Sequence, residues 1–551
     1  MTVIFDPTLG NPKAIAVVGF LALSVLLVHR YFKSRRKLPL PPAPPGWPII
    51  GQTIQFLTAA KQGKMHLLLG EWAREFGEII RVQVGPVTIF YLNSDASVKA
   101  IMDKASAYTS ERPRWIVSNE LLCNRWNVLL LNGSDQRWKL QRKITHSSMT
   151  SIPMADAGLP LASLTPSGAQ DSYLNYETSK FLYEIAHDPV AGSSSSDLWT
   201  HIGRYTYSNF AKQAFGFEIP SVSDPNIQYI HESGLRQIVG TLPGTHIVDI
   251  MPILDLLPLW LKPWERSARA HFFDDLKWVR ARMLEVQKIP RKDNNSLLLR
   301  VLDDEKRLGI GSDDEAAFLS MQLIIGAADT SRMSTWSFLE AMMMFPSVQT
   351  EAHEEIDRLV GSRIPVWEDL ENSPYFRSMI KEVWRWRPPV SLGHPHIITR
   401  DIEYKGMLLP KGSRIHLNAW AIGHDPQRHE DPDRFWPQRY LDDTTTTQQS
   451  INLADPTKRD HFAFGAGRRV CPGMHVAERS LALAIMRILW AFDIGISPEA
   501  KLPLDPKDYF GFMPGNSGES LPVTLTIRSE EKRKQVDEAW AESERTKSMF
   551  Y

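Results

Sequence analysis

The alternation of apolar and polar positions divides the chain into three textures. Residues Ala14 to Val28 form an uninterrupted apolar run with Ser24 as its one polar side chain. Extended through Tyr31 and Phe32 it reaches the length of a membrane-spanning helix, with His29 and Arg30 able to snorkel at its boundary. Short β-like stretches follow at Ile79 to Val84 and at Thr88 to Tyr91, and helical periodicity dominates afterwards. Short strands return around Ile397 to Ile415 and near Val523 to Ile527. One helix is signalled at both ends. Ser312 followed by Glu315 reads as a capping box, Asp313 and Asp314 suit the first turn, and Pro346 stops the pattern after Phe345. Its middle is apolar all round, which predicts burial in a large core. The segments Met149 to Gln170 and Gly192 to Ser196 lack any period and read as surface loops.

The ends of the apolar run decide its role. Only Lys13 precedes it closely, whereas Arg30, Lys33, Arg35, Arg36 and Lys37 follow, the reverse of a cleaved secretory signal. The positive-inside rule then places the remainder on the cytosolic side of a single N-terminal anchor. Pro39 to Pro48 contains six prolines in ten residues and predicts a stiff extended arm. The organisation expected is an anchor with its basic flank at 1–37, a proline-rich hinge at 38–50, one large catalytic domain at 51–535 and a C-terminal tail at 536–551.

Charge and cysteine content narrow the chemistry. Lys plus Arg and Asp plus Glu are both 63, so the net charge is zero, which argues against a nucleic-acid partner. The 23% of charged residues excludes a disordered tail protein. Two cysteines, Cys123 and Cys471, can build neither a disulfide framework nor a four-Cys zinc site.

Cys471 lies in Phe464-Gly465-Ala466-Gly467-Arg468-Arg469-Val470-Cys471-Pro472-Gly473. Glycines at 465, 467 and 473 permit tight turns and close approach to a flat ligand, and helical periodicity begins at Met474. A thiol at a helix N-terminus beside two arginines is expected to have a lowered pKa and to be available as the thiolate that binds iron. A dinucleotide loop would need glycine where Val470 stands, and no second Cys/His pair completes a zinc site with His475. Glu382 and Arg385 sit one helical turn apart, ahead of Pro388-Pro389, and suit a buried bidentate ion pair. Asp329-Thr330 interrupts the apolar long helix after Gly326-Ala327-Ala328. Trp138 and Arg142 share one helix face.

These motifs, in this order between about residues 40 and 530, resemble the cytochrome P450 family. The resemblance implies a mainly α fold with small β-sheets (α+β), the cytochrome P450 fold behind an N-terminal transmembrane helix. It implies that Cys471 is the axial ligand of haem b (iron protoporphyrin IX), with Phe464 in the same haem loop. Trp138, Arg142, His396 and Arg469 would contact the haem propionates. Arg439 would complete a bracing triad with Glu382 and Arg385, Gln438 replacing a more usual acidic neighbour. Asp329 and Thr330 would be catalytic, relaying protons to bound dioxygen, and Ala327 replaces a frequent glycine. Substrate contacts by family position would include the stretch Arg112 to Ile116 with its Trp115, and Ile325, Gly326, Val390, Leu392 and Phe512.

The activity implied is hydroxylation of a small, largely apolar molecule with O2 and NADPH-derived electrons. No nucleotide fingerprint or flavin module is present in the sequence, so a separate NADPH-cytochrome P450 reductase is expected as partner, docking near Lys458, Arg459 and Arg468. The stretch from Gly465 to Asp493 looks like enzymes of fungal secondary metabolism, in particular hydroxylases of cresol-like phenolic polyketides. The location implied is the endoplasmic reticulum membrane, with the catalytic domain cytosolic and the bilayer as a further partner. Two alternatives stand beside this reading: a haem-thiolate isomerase or dehydratase that needs no external electrons, and a non-catalytic haem-binding protein.

Overall fold

The computed structural model describes residues 38–149, 173–188, 195–241, 245–290, 296–497 and 522–547. The expected anchor, most of the predicted loop at 149–170 and Phe512 lie outside them. Among the described residues no helix is long and apolar enough to cross a membrane.

The proline arm lies along the sheets, as its missing N–H groups and free carbonyls dictate. Pro42 O accepts from Arg81 N at 2.7 Å and Pro39 O from Leu408 N at 2.8 Å. Strand β1 (Ile79–Val84) and β2 (Val87–Leu92) form the hairpin that the alternation predicts, joined by Gly85-Pro86. Four more strands are β3 (His396–Ile397), β4 (Ile402–Tyr404), β5 (Met407–Leu409) and β6 (Arg414–Leu417). The main sheet runs β1-β2-β6-β3; β2 and β6 pair in parallel, and β6 and β3 antiparallel. β4–β5 and β7 (Phe492–Ile496) with β8 (Val523–Ile527) form two-stranded ribbons.

Helices make up the rest. Those that matter below are α1 (Gln136–Met149), α2 (Tyr173–His187), α3 (Ser195–Phe210), α4 (Pro225–Val239), α5 (Asp313–Met344), α6 (Pro374–Trp386), α7 (Met474–Ala491) and α8 (Glu530–Thr546). Helix α3 begins at Ser195, so the loop expected over 192–196 gives way to helix two residues early. Helix α5 is the spine. One apolar cluster gathers α6 and α7 about its second half, and another packs about its first half. Ser312 Oγ accepts from Glu315 N at 3.1 Å, but the reciprocal half of the capping box is missing. The Glu315 carboxylate turns instead to Gln141 at 3.0 Å and Arg137 at 3.2 Å, tying α5 to α1. Helix α8 runs unbroken across the expected boundary at 535/536. Trp540 packs on Tyr176 and Tyr183 of α2, with ring centroids 5.4 and 5.7 Å apart, so most of the supposed tail belongs to the fold.

Candidate functional site

The haem-type loop is held by backbone approach more than by side chains. Gly467 has φ 64°, and a Cβ there would lie 2.0 Å from Met102 O, so no other residue fits. Its N–H donates to Asp103 Oδ1 at 2.8 Å. Gly465, φ 73°, faces open space. Cys471 N donates to Phe464 O at 2.9 Å, closing the loop before Gly473 caps α7. Phe464 stacks edge-on to Trp384 of α6 at 4.7 Å.

The Cys471 thiol departs from expectation. Burial raises its pKa, and the Gly473 N–H and the Arg142 charge only partly oppose that. The two arginines beside it in sequence do not supply the shift. Arg468 points to solvent, and Arg469 turns away to the carbonyls of Ser110 and Leu131. Burial favours the thiol form, and a metal held there would have to displace its proton.

Around the loop the structure gathers cationic side chains. Arg469 lies over the Trp138 ring at 4.2 Å, and Arg142 donates to Val470 O. His396 Nδ1–H donates to Thr109 O at 2.6 Å. A fourth member, Arg112, was assigned from sequence to a substrate-contact stretch. It donates instead to Pro395 O at 2.7 Å and Leu129 O at 2.9 Å, beside His396. Among the described residues no carboxylate forms an ion pair with Arg112, Arg142 or Arg469. Burial pushes Arg469 down to about 8 and Arg112 to about 9, and holds His396 well below the usual histidine range. Buried cations this costly need an anionic partner. Two carboxylates on a flat, iron-bearing ligand, with room at Gly465 and a thiol at Cys471, meet that need. The residues fit haem. No local signal could have found Arg112, because its partners lie at 129 and 395.

The structure brings Glu382, Arg385 and Arg439 together. Glu382 and Arg385 make two 2.7 Å bonds, fully buried, and Arg439 Nε reaches Glu382 at 3.3 Å. Arg385 also donates to the carbonyls of Gly423, Pro432 and Arg434.

On the other side, α5 is buried along almost its whole length, yet Gly326, Ala327 and Thr330 keep accessible surface on one face. A Cβ on Gly326 would meet nothing within 4 Å, so this face of α5 borders open space. Thr330 Oγ1 donates to Gly326 O at 2.9 Å, leaving its lone pairs to the open side. Asp329 is not beside it. Its carboxylate, 2% exposed, faces α3 and α4, where Tyr207 and His231 hold it.

Of the expected substrate residues, Gly326 and Val390 carry accessible surface. Three are corrected. Trp115 is buried beneath the Arg414 guanidinium, 4.9 Å from its ring. Ile325 packs on the Gly234 backbone of α4, and Leu392 is in the apolar cluster behind β1 and β2. Arg459, expected at a docking face, is buried. It donates to His461 O and Gly465 O and lies 4.1 Å over the Phe462 ring, while Lys458 and Arg468 are exposed.

Comparison with known proteins agrees with this geometry. Residues 41–520 match the family Cytochrome P450. A cytochrome P450 monooxygenase of Gibberella fujikuroi is 51% identical over 528 residues, covering 94% of each chain. Others from Hypocrea virens and Aspergillus terreus are 33% and 31% identical, over 96% and 95% of this chain and 93% and 94% of theirs. A solved zebrafish cytochrome P450, in a structure with abiraterone, shares the fold. Its TM-score is 0.63 at 21% identity, over 84% of this chain and all of that one.

Proposed function

The chain belongs to the cytochrome P450 family of haem-thiolate oxidoreductases, and from that membership we propose that it hydroxylates a small, largely apolar secondary metabolite, a phenolic or aromatic polyketide of about cresol size. The observation that carries the reading is the ring of arginines around Cys471 that meet no carboxylate partner among the described residues. Arg112, Arg142 and Arg469 would bind the propionates of haem b, joined by His396 and with Trp138 stacked beneath Arg469. Cys471 would supply the axial thiolate. Haem held this way supplies dioxygen activation. Thr330 would hold a proton on its hydroxyl at the open face of α5, and Asp329 would replenish it. Gly326 and Val390 line the open side with apolar surface, as a small hydrophobic substrate needs.

Family membership implies O2 and a redox partner. We assign that partner as the membrane-bound NADPH-cytochrome P450 reductase. The reading is supported by exposed Lys139 and Lys143 on α1, which flank Arg142 where it touches the haem loop, together with Lys458 and Arg468. We place the protein at the endoplasmic reticulum membrane through residues 14–28. The short helices between 247 and 261 support this, since they present Leu256 and Trp260, 80% and 73% exposed, to solvent.

The test is the reduced carbon monoxide spectrum. Wild-type protein should give the thiolate-type band near 450 nm, and Cys471→Ala should lose it. Retention in that variant would exclude Cys471 as the ligand. NADPH-dependent product from a panel of small phenols separates the monooxygenase from an isomerase or a passive haem carrier.

A further inference from the structure

Asp329 sits in a clasp whose members come from three helices. Tyr207 OH on α3 donates to Asp329 Oδ1 at 2.6 Å. His231 Nδ1 on α4 lies 3.0 Å from Oδ1 and 3.2 Å from Oδ2. A carboxylate can only accept, so Nδ1 carries the proton and Nε2 is left for other partners. Two tight crossings set this meeting. A Cβ at Gly234 of α4 would lie 2.8 Å from Ile325 Cγ2 of α5, and one turn away along each helix His231 meets Asp329. A Cβ at Gly203 of α3 would lie 2.8 Å from the Arg332 guanidinium carbon, and one turn on Tyr207 meets the same carboxylate.

The two holders differ in what they can do. Tyr207 is wholly buried, and burial together with the Asp329 charge raises its pKa well above the phenol value, so it stays a fixed donor. Arg332, the nearby cation, is engaged by Trp199 O at 2.8 and 3.0 Å and lies over the Trp199 ring rather than pairing with Asp329. His231 alone of these keeps a window, with 19% of its side chain exposed.

We propose that His231 is the proton entry of this enzyme, a positioning residue that recharges Asp329 from solvent. A solvent proton bonds to Nε2 while the Nδ1–H bond breaks and its proton forms O–H on Asp329. No electron moves, and the ring stays neutral in its opposite tautomer. Turning of the Asp329 side chain then presents the protonated carboxyl toward Thr330, and exchange with solvent restores Nδ1–H. The inference rests on the monooxygenase reading for its purpose, and on the clasp alone for its geometry.

Two measurements test it separately. In protein labelled with 15N-histidine, with His231→Gln to assign the signal, His231 should show its proton on Nδ1, and Asp329→Ala should abolish that preference. A proton on Nε2 in the wild type would overturn the clasp. This spectrum requires no turnover and stands whether or not the monooxygenase reading does. The second measurement follows NADPH oxidation in O2 with purified reductase and no added substrate, in variants that keep the 450 nm carbon monoxide band. Gln still donates to Asp329 but cannot pass a proton through its side chain. His231→Gln and His231→Leu should therefore both slow oxidation at least about tenfold and enlarge its solvent isotope effect. A wild-type rate in His231→Gln with a slowed His231→Leu would mean a merely structural clasp and would overturn the relay. Absence of the 450 nm band from the wild type would instead defeat the functional reading.

Discussion

Two charge centres of the molecule are built on opposite terms. At Glu382–Arg385–Arg439 each charge meets its counter-charge, and the remaining guanidinium N–H groups of Arg385 are spent on carbonyls of the 423–434 segment. At Arg112–Arg142–Arg469–His396 the guanidinium groups reach only carbonyls, the imidazole donates to another, and no carboxylate pairs with the arginines among the described residues. The first centre is complete and serves as architecture. The second is incomplete: burial drives Arg112 and Arg469 down, and the Glu111 charge offsets only part of that at Arg469. Pairing distinguishes the brace from the candidate binding site.

The contrast can be broken in order of effect. Glu382→Ala removes one partner from a complete centre and strands two guanidinium groups, which should cost about 3–5 kcal/mol and depress the melting temperature of haem-free and haem-loaded protein alike. Arg112→Leu and Arg469→Leu should act differently. Each removes a cation awaiting its anion, so haem affinity in a titration should fall about 10- to 100-fold while the haem-free melting temperature changes little. Equal losses of fold in both sets would erase the distinction.

His201 sharpens the comparison from the paired side with the smallest effect. Burial opposes its protonation, but Glu184 and Asp188, the latter 2.9 Å from Nε2, outweigh burial and raise its pKa. A raised histidine pKa gives stability that is complete below the ordinary value of about 6.5 and is lost as pH climbs through the raised one. Melting temperature should therefore fall from pH 6 toward pH 8 in the wild type, with a shallower slope in His201→Gln. An identical slope in the variant would show that the pair contributes nothing.

Legibility in the sequence followed distance along the chain. The loop from Phe464 to Gly473, the Glu382–Arg385 turn, the first hairpin and the long helix with its Ser312 cap were all readable, because each is made by residues within a few positions of one another. Arg112 was misplaced because its carbonyl partners are 17 and 283 residues away. The Cys471 pKa was expected to fall from its neighbours in sequence; it rises because Arg468 and Arg469 point elsewhere and burial dominates. Arg459 looked like surface charge and proved to be a buried strut under Phe462. Asp329 was found, but its direction was not, since Tyr207 and His231 arrive on separate helices.

The sequence by itself determined the family, the cysteine loop, the Glu382–Arg385 brace and the helix that carries the acid and the alcohol. Periodicity, capping and motif spacing are local properties, and local sterics and hydrogen bonding set them before any long-range contact forms. Only the tertiary structure decided which cations lack partners, which face of the long helix stays open, and where Asp329 points. Those are questions of burial and pairing between segments hundreds of residues apart, and a charged group acquires its energy from what surrounds it in space, not from what adjoins it in the chain.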